Sequence, residues 1–366
     1  MAIFTQKIHT ALANLENVPW IVLHKVGTVI GYHLLRYRSL PPETVNIYPS
    51  FRCNLKCEMC FEKYAKVENE LECKDWFGII DSIKRFHPRI HISGGEPFVF
   101  KDIMKIIEYI KYHSLFLNIT TNGTLLCEYA EDLVKYKVNR IDISIDGPAQ
   151  IHDRLRGVGG TFARIIKGLE KLCKLKKRFF PILKINSIIN FNNPETMKEV
   201  VSLAAEYGVS AVQFIYPFYL TESEVFGHRK FLNYVLGRNI NYWCHASRFQ
   251  PAVGDFYEIG KILTELSRQK VMIYVFPCFT SEQFKMYYHA PEDFIKVYTG
   301  KCRAMWHTTT ILPNGGLESC PDYVAGDIKR DDFFAIWNNQ PMIELRKLIK
   351  EKKFFSVCRA CCFYYQ

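Results

Sequence analysis

Three cysteines stand in FRCNLKCEMCFEK (51–63): Cys53, Cys57 and Cys60, spaced CxxxCxxC just past a strand-like run. Thiolates are soft ligands, and this spacing on a short loop suits a metal centre. A closed tetrahedral zinc site takes four protein ligands, so three thiols leave one metal position open or draw on a distant donor. An open position is where a metal meets a second molecule.

The rest of the chain limits what that chemistry serves. Its 366 residues, 48% of them hydrophobic, can bury one large core, alone or with a smaller domain beside it. Thirteen cysteines, an odd number, in a long chain with no evident cleavable leader point to reduced thiols or metal sites in a reducing cytoplasm rather than to disulfides. A formal net charge of +11 favours anionic surfaces. The Lys and Arg residues are scattered, with no dense basic tract, helix-turn-helix or RNP signature, so nucleic acid is not the expected partner.

Residues 1–43 contain WIVLHKVGTVIGYHLL (20–35), in which Leu23, Val26, Ile30 and Leu34 share one helical stripe before Arg36 and Arg38. The run is too short, and too interrupted by His24, Lys25 and His33, to span a bilayer. Two readings stay open. The helix packs on the body of the protein, or it rests peripherally on the inner face of a membrane.

From Thr44 onward the chain alternates. Strand-like runs fall at 44–49, 89–93, 117–121, 140–145, 183–189 and 212–217, with helical patterns such as 101–113, 162–175 and 194–208 between them. This is an α/β pattern of parallel βαβ units, whose loops converge at the C-terminal ends of the strands. The unusual residues lie there. Cys53 to Cys60 follow the first strand, SGGEP (93–97) the second and TNG (121–123) the third; Ser144, Asp146 and Gly147 end the fourth, and Asn186 and Ser187 lie in the fifth.

The triad followed by SGGEP, TTNGT and SIDG, in this order at successive strand ends, resembles the radical S-adenosylmethionine (radical SAM) enzymes from about Thr44 to the C-terminus. The resemblance implies a partial (βα)6 TIM-type barrel over 44–217, a linking segment of helices and a strand over 218–300, and a small α+β domain over 301–366. It implies that Cys53, Cys57 and Cys60 bind three irons of a [4Fe-4S] cluster whose fourth iron takes SAM. Reductive cleavage of SAM then yields a 5′-deoxyadenosyl radical that abstracts a hydrogen atom. Further residues carry over singly. Gly94, Gly95 and Glu96 match the motif that contacts the SAM amino group, and Ser144 and Asp146 match positions near its ribose or carboxylate. Asn122 belongs to the same set. Arg156 in HDRLRG resembles an arginine that pairs with the SAM carboxylate, with Arg154 as competitor. Asn186 is either a ribose or adenine contact or a structural asparagine. Met59 departs from the pattern, standing where an aromatic residue usually packs near adenine.

The last third resembles the SPASM/twitch extension of the same enzymes. Cys302, Cys320, Cys358 and Cys361 are its implied ligands for one auxiliary [4Fe-4S] cluster, with Cys362 as an alternative to Cys361. Asn314-Gly315-Gly316 reads as a hairpin turn between two short strands. The competing reading of the four thiols is a zinc ribbon. Cys73, Cys127 and Cys173 lie on or beside helical patterns and are expected to be buried small hydrophobes. Cys244 and Cys278, between the two modules, are candidate hydrogen-atom donors, and Tyr216, Tyr219, Tyr287, Tyr288 and His228 are expected to serve packing.

The expected activity is hydrogen-atom abstraction from an unactivated C–H bond, ending in dehydrogenation, epimerisation or carbon–carbon bond formation. The apolar N-terminal helix and basic surface favour a lipid, an isoprenoid or another small molecule. Modification of a peptide or oxidation of a sugar is the alternative, and a non-catalytic iron–sulfur electron carrier the rival of another class. No cobalamin-binding domain is evident. The expected electron donor is a ferredoxin or flavodoxin.

Overall fold

The computed structural model describes residues 18–65, 67–176, 180–236, 243–298 and 300–365, so the first seventeen residues of the N-terminal segment lie outside it. Parallel strands β1 (Thr44–Ile47), β2 (Arg89–Ile92), β3 (Leu117–Thr121), β4 (Arg140–Ser144), β5 (Ile182–Ile188) and β6 (Ala211–Ile215) pair in sequence order. The helices that cross between them bury one apolar stripe each. In α2 (Cys73–Ile83) Trp76, Ile79, Ile80 and Ile83 are inside, and in α3 (Ile103–Tyr112) Ile103, Ile106, Ile107 and Ile110 are. Each such side chain contributes about 1.5–3 kcal/mol. Around the sheet follow α4 (Leu126–Lys135), α5 (Ala149–Arg156), α6 (Thr161–Leu175) and α7 (Thr196–Glu206).

Strand alternation separates two layers. Val45, Ile47, Ile90, Ile92, Ile119, Ile141, Ile143, Leu183, Ile185, Val212 and Phe214 are completely buried. The other face is polar and knitted together by parallel register. His91 bonds Asn46 at 3.0 Å and Thr120 at 2.9 Å, while Asp142 takes Arg140 at 2.9 Å and Lys184 at 3.3 Å, and Lys184 donates to Gln213 at 2.7 Å. Burial raises the Asp142 carboxyl, but Arg140 and Lys184 outweigh it and hold the carboxyl below its usual range. Burial also pulls His91 down to about 4, so this imidazole is neutral.

The sheet does not stop at six strands. β7 (Met272–Phe276), from the expected linking segment, adds in parallel to β6. At the opposite edge β8 (Thr308–Ile311) pairs in parallel with β1, and β9 (Gly316–Cys320) and β10 (Tyr323–Asp327) continue antiparallel. Among the described residues one ten-stranded sheet, ordered β10-β9-β8-β1-β2-β3-β4-β5-β6-β7, thus joins both cysteine modules. The expected hairpin is present, with Gly315 at φ +91°. Helices α8 (Glu222–Leu236), α9 (Phe256–Leu266), α10 (Ser281–His289) and α11 (Phe294–Val297) flank β7, while α12 (Phe333–Trp337) and α13 (Gln340–Lys352) follow β10.

Helix α1 (Val18–His33) inverts the usual amphipathic arrangement. The expected stripe points outward: Leu23, Val26 and Leu34 are 59%, 49% and 72% exposed. Small and polar residues face the body instead. His24 bonds the Phe86 carbonyl at 2.9 Å, and a Cβ on Gly31 would stand 3.0 Å from Ser39 and 3.1 Å from Trp306. Among the described residues no helix is long and apolar enough to cross a membrane. Cys73, Cys127 and Cys173 sit on helices as expected, but half-buried rather than buried, because each lies at the margin of its helix's inward stripe.

Candidate active site

The cysteine loop after β1 is clasped from two sides. From β2, the Gly95 amide donates to the Ser50 carbonyl at 3.0 Å and the Glu96 amide to the Arg52 carbonyl at 2.9 Å. A Cβ on Gly95 would lie 2.3 Å from the Arg52 oxygen, so only glycine permits this approach. From the end of α5, the Arg156 and Leu155 carbonyls accept from the amides of Lys56 and Glu58 at 3.1 and 3.0 Å. The loop's shape is therefore fixed by SGGEP and HDRLRG together.

Cys53, Cys57 and Cys60 line one cleft of about 180 Å³ with Met59, Glu62, Gly94, Gly95, Asn122, Ser144 and Arg156. The Leu55 amide and the Asn122 side chain donate to the Cys53 sulfur at 3.4 and 3.8 Å, and Arg156 donates to Cys57 at 3.8 Å. Burial, followed by the Glu62 carboxylate, pushes the Cys60 thiol up to about 12. A thiol so raised ionises when a metal replaces its proton.

Behind the cleft stand residues that brace it. Glu96, 1% exposed, accepts from Thr121 at 2.7 Å, from the Asn122 amide at 2.7 Å and from the Phe98 amide at 3.2 Å. Burial raises its carboxyl to about 7. Asp146 lies beneath the cleft rather than on its wall, taking Arg156 Nε on one oxygen at 2.7 Å and the Ile188 amide on the other at 3.0 Å. It aims the guanidinium. Arg154 is exposed and off the cleft, so geometry favours Arg156 of the two. Asn186 is paired in register with Ser144, and its Oδ1 is buried without a hydrogen-bond partner.

These residues fit a [4Fe-4S] cluster with SAM. Three thiols share one wall, the main chain of Gly94 and Gly95 lines the same cleft, and the Arg156 guanidinium lines it beside Cys57, while the unpartnered Asn186 oxygen lies off the lining. The first three features suit, in turn, cluster irons, main-chain contact to a bound molecule and a carboxylate.

The second cysteine set is sealed. Cys320, Cys358 and Cys361 are 7%, 5% and 7% exposed, and Cys302 is half-buried. Burial raises Cys320, and repulsion from Cys358, Cys361 and Cys302 adds to it, which places four thiols within electrostatic reach of one another. Cys362 is exposed and the charged neighbour acting on it is Glu62 of the first module, whereas buried Cys361 feels Cys358 and Cys302 besides Cys362, so Cys361 is favoured as the fourth member. Between Cys358 and Cys361, fully buried Arg359 grips Glu224 of α8 with Nε at 2.6 Å and with a second nitrogen, and donates to the carbonyls of Tyr219 and Tyr287 at 3.1 Å each. Its guanidinium lies 4.4 and 4.6 Å from their ring centroids.

The expected packing tyrosines thus do more than pack. Cys244 and Cys278 do not line the cleft; the neighbour of Cys244, Trp243, packs on Phe61 at 4.9 Å, and Cys278 is exposed. Sequence reasoning passed over Tyr48, Glu62, Glu224 and Arg359. Glu62 carried a signal, two residues past Cys60, whereas the Glu224–Arg359 pair spans 135 residues and carried none.

Comparison with known proteins agrees with this geometry. Residues 47–204 match the radical SAM superfamily, and residues 302–362 match an iron–sulfur cluster-binding domain. The Fe-coproporphyrin III synthase of Methanosarcina barkeri is 30% identical over 195 residues, covering 51% of this chain and 47% of that protein; the chain spans about half the length of such relatives. Mycofactocin maturase MftC of Mycobacterium ulcerans is 24% identical over 85% of this chain and 78% of its own. SuiB of Streptococcus suis, solved with S-adenosylmethionine, shares the fold at TM-score 0.66 and 18% identity over 98% of this chain and 83% of its own. With its precursor peptide SuiA bound, SuiB matches at TM-score 0.64 and 21% identity over 90% and 72%. Two cysteine modules on one sheet are each matched by their own family description: the chain belongs to the radical SAM superfamily and carries a C-terminal iron–sulfur cluster-binding domain.

Proposed function

We propose that the protein abstracts a hydrogen atom from an unactivated C–H bond of a peptide held between its two cysteine modules. The observation that carries this reading is the position of Tyr48 and Glu62. Half-buried Tyr48 is raised by burial first, then by Glu62 of the first module and by Cys362, Glu318 and Cys361 of the second. Groups of both modules therefore stand within electrostatic reach of one side chain, and a substrate beside it would lie near both.

In this reading Cys53, Cys57 and Cys60 hold the SAM-binding cluster, and Cys302, Cys320, Cys358 and Cys361 the auxiliary one. The main chain at Gly94 and Gly95, backed by Glu96, receives the SAM amino group, and Arg156 pairs with its carboxylate. Asn122, Ser144 and Met59 face the remainder of the molecule. When bound, cluster and SAM supply a 5′-deoxyadenosyl radical for hydrogen abstraction. The chain's own contribution is to fix the thiols and orient Arg156 through Asp146.

A peptide substrate draws support from the similarity to mycofactocin maturase along most of the chain and from the fold shared with SuiB, which binds a precursor peptide. A small-molecule substrate is the second reading, favoured by the 30% identity to an Fe-coproporphyrin III synthase over about half of the chain. Anaerobic reconstitution with SAM and dithionite separates them. Stimulation of 5′-deoxyadenosine formation by a cell-extract fraction should vanish when that fraction is treated with protease. Protease-resistant stimulation favours the small molecule, and no 5′-deoxyadenosine despite a filled cluster rejects both.

A further inference from the structure

A second concavity opens beside Cys302. It has a volume of about 300 Å³ and is lined by Tyr32 and His33 from α1, Lys301, Cys302, and Ile349, Lys350 and Lys353 at the end of α13. No acidic side chain lines it. Among the described residues, Lys301, Lys350 and Lys353 enter no salt bridge, although most helix-borne cations elsewhere in the chain that form pairs do so with a carboxylate one turn away. Lys350 Nζ donates to the Tyr32 carbonyl and lies 4.5, 5.4 and 5.7 Å from the ring centroids of Tyr32, Tyr37 and Trp306. The guanidinium of Arg303 stands 5.6 Å from Tyr32 and extends the positive rim.

Basic residues in the last turn of a helix offset its dipole, which accounts for Lys350 and Lys352 in part. It does not account for Lys301, from another segment, nor for the presence of Cys302 in the same lining. Of the four C-terminal cysteines, Cys302 alone is not buried, and it alone lines a surface pocket of cations.

We propose that this pocket is the docking site of a small acidic one-electron carrier protein, of ferredoxin or flavodoxin class, which passes its electron to the auxiliary cluster by way of Cys302. The proposal rests on the reading of Cys302 as a ligand of that cluster. The carrier loses one electron and the auxiliary cluster gains it; no bond forms or breaks and no proton moves. Redox encounters use small, charge-steered interfaces, and a basic rim without carboxylates beside Cys302 is the surface such steering requires. An anionic lipid surface would also meet the lysines, but it gains nothing from a cluster ligand in the lining.

The test uses the full chain, reconstituted anaerobically, and a Lys301→Glu, Lys350→Glu, Lys353→Glu variant, with Lys167→Glu on the distant α6 as control. Stopped-flow spectroscopy follows cluster bleaching by reduced acidic ferredoxin and, separately, by dithionite. The triple variant should lose at least about tenfold in the ferredoxin rate together with most of its salt dependence. Dithionite bleaching and iron content should match wild type, as should every rate of the control. An unchanged ferredoxin rate overturns the proposal. So does loss of binding to phosphatidylglycerol vesicles with ferredoxin kinetics intact, which reassigns the patch to lipid. If the triple variant misfolds, Lys301→Gln with Lys353→Gln must give a smaller drop in the same direction. Iron in wild type equivalent to only the first cluster would instead sink the underlying ligand reading.

Discussion

The two cysteine modules occupy one sheet and solve opposite problems. At the C-terminal end of β1 the thiols stand on a loop whose wall stays open: Cys53 is exposed, and Asn122, Ser144 and Arg156 face the same cleft. In the second module three of four thiols are buried, and the loop carrying Cys358 and Cys361 is riveted by Arg359 to Glu224. The open site is shaped by backbone, through Gly95 and the α5 carbonyls, whereas the closed one is locked by a buried ion pair. An open metal position asks for a rigid cradle with room left over. A closed one asks only for exclusion of water.

Breaking each module should therefore fail differently. Cys57→Ala removes a thiol that a three-ligand set cannot spare, and 5′-deoxyadenosine formation, followed chromatographically, should fall to background; retention near wild type would overturn the assignment of Cys57. Arg156→Ala strands the Asp146 carboxylate, whose side chain is fully buried. Loss of one partner of such a pair costs about 3–5 kcal/mol, so urea unfolding should shift by that amount and SAM affinity should fall with it. A shift under about 1 kcal/mol would mean that Asp146 is satisfied by Ile188 alone.

Cys320→Ala should lose about half of the iron while sparing the SAM-binding cluster, since the two sets share no ligand. Loss of all iron would show the modules to be coupled, contrary to the account. The smallest effect concerns pH. His152, which accepts from the Asp146 amide at 3.2 Å, is pulled down to about 4 by burial. Its folded value lies below the unfolded one near 6.5, so the native state binds fewer protons than the unfolded chain between them. Stability is lost as pH falls from about 6.5 towards 4. His152→Gln, which keeps an acceptor, should flatten that decline in a melting-temperature series; an unchanged slope would assign the decline to other groups such as His91.

Much of the first module was legible because parallel strands carry period-two patterns and chemistry collects at their C-terminal ends. The six expected strands fall within two residues of β1–β6, and SGGEP, TNG and HDRLRG surround the cleft. What escaped was long-range. Nothing local in MIYVF announced that β7 would extend the sheet, and TTTI gave no sign of pairing with β1 at the opposite edge. Which way the α1 stripe faces was not legible, because its inward face is made of His24, Gly27 and Gly31, residues that pack by being small or by finding a carbonyl. Asp146 appeared as a ligand contact from its motif alone; only the fold places it under Arg156.

The contrast between an open and a closed cluster is tested most directly by electron paramagnetic resonance of the dithionite-reduced protein with and without SAM. The signal that disappears in Cys57→Ala should change on adding SAM, and the signal that disappears in Cys320→Ala should not. A SAM-induced change in the signal that survives Cys57→Ala would contradict the account.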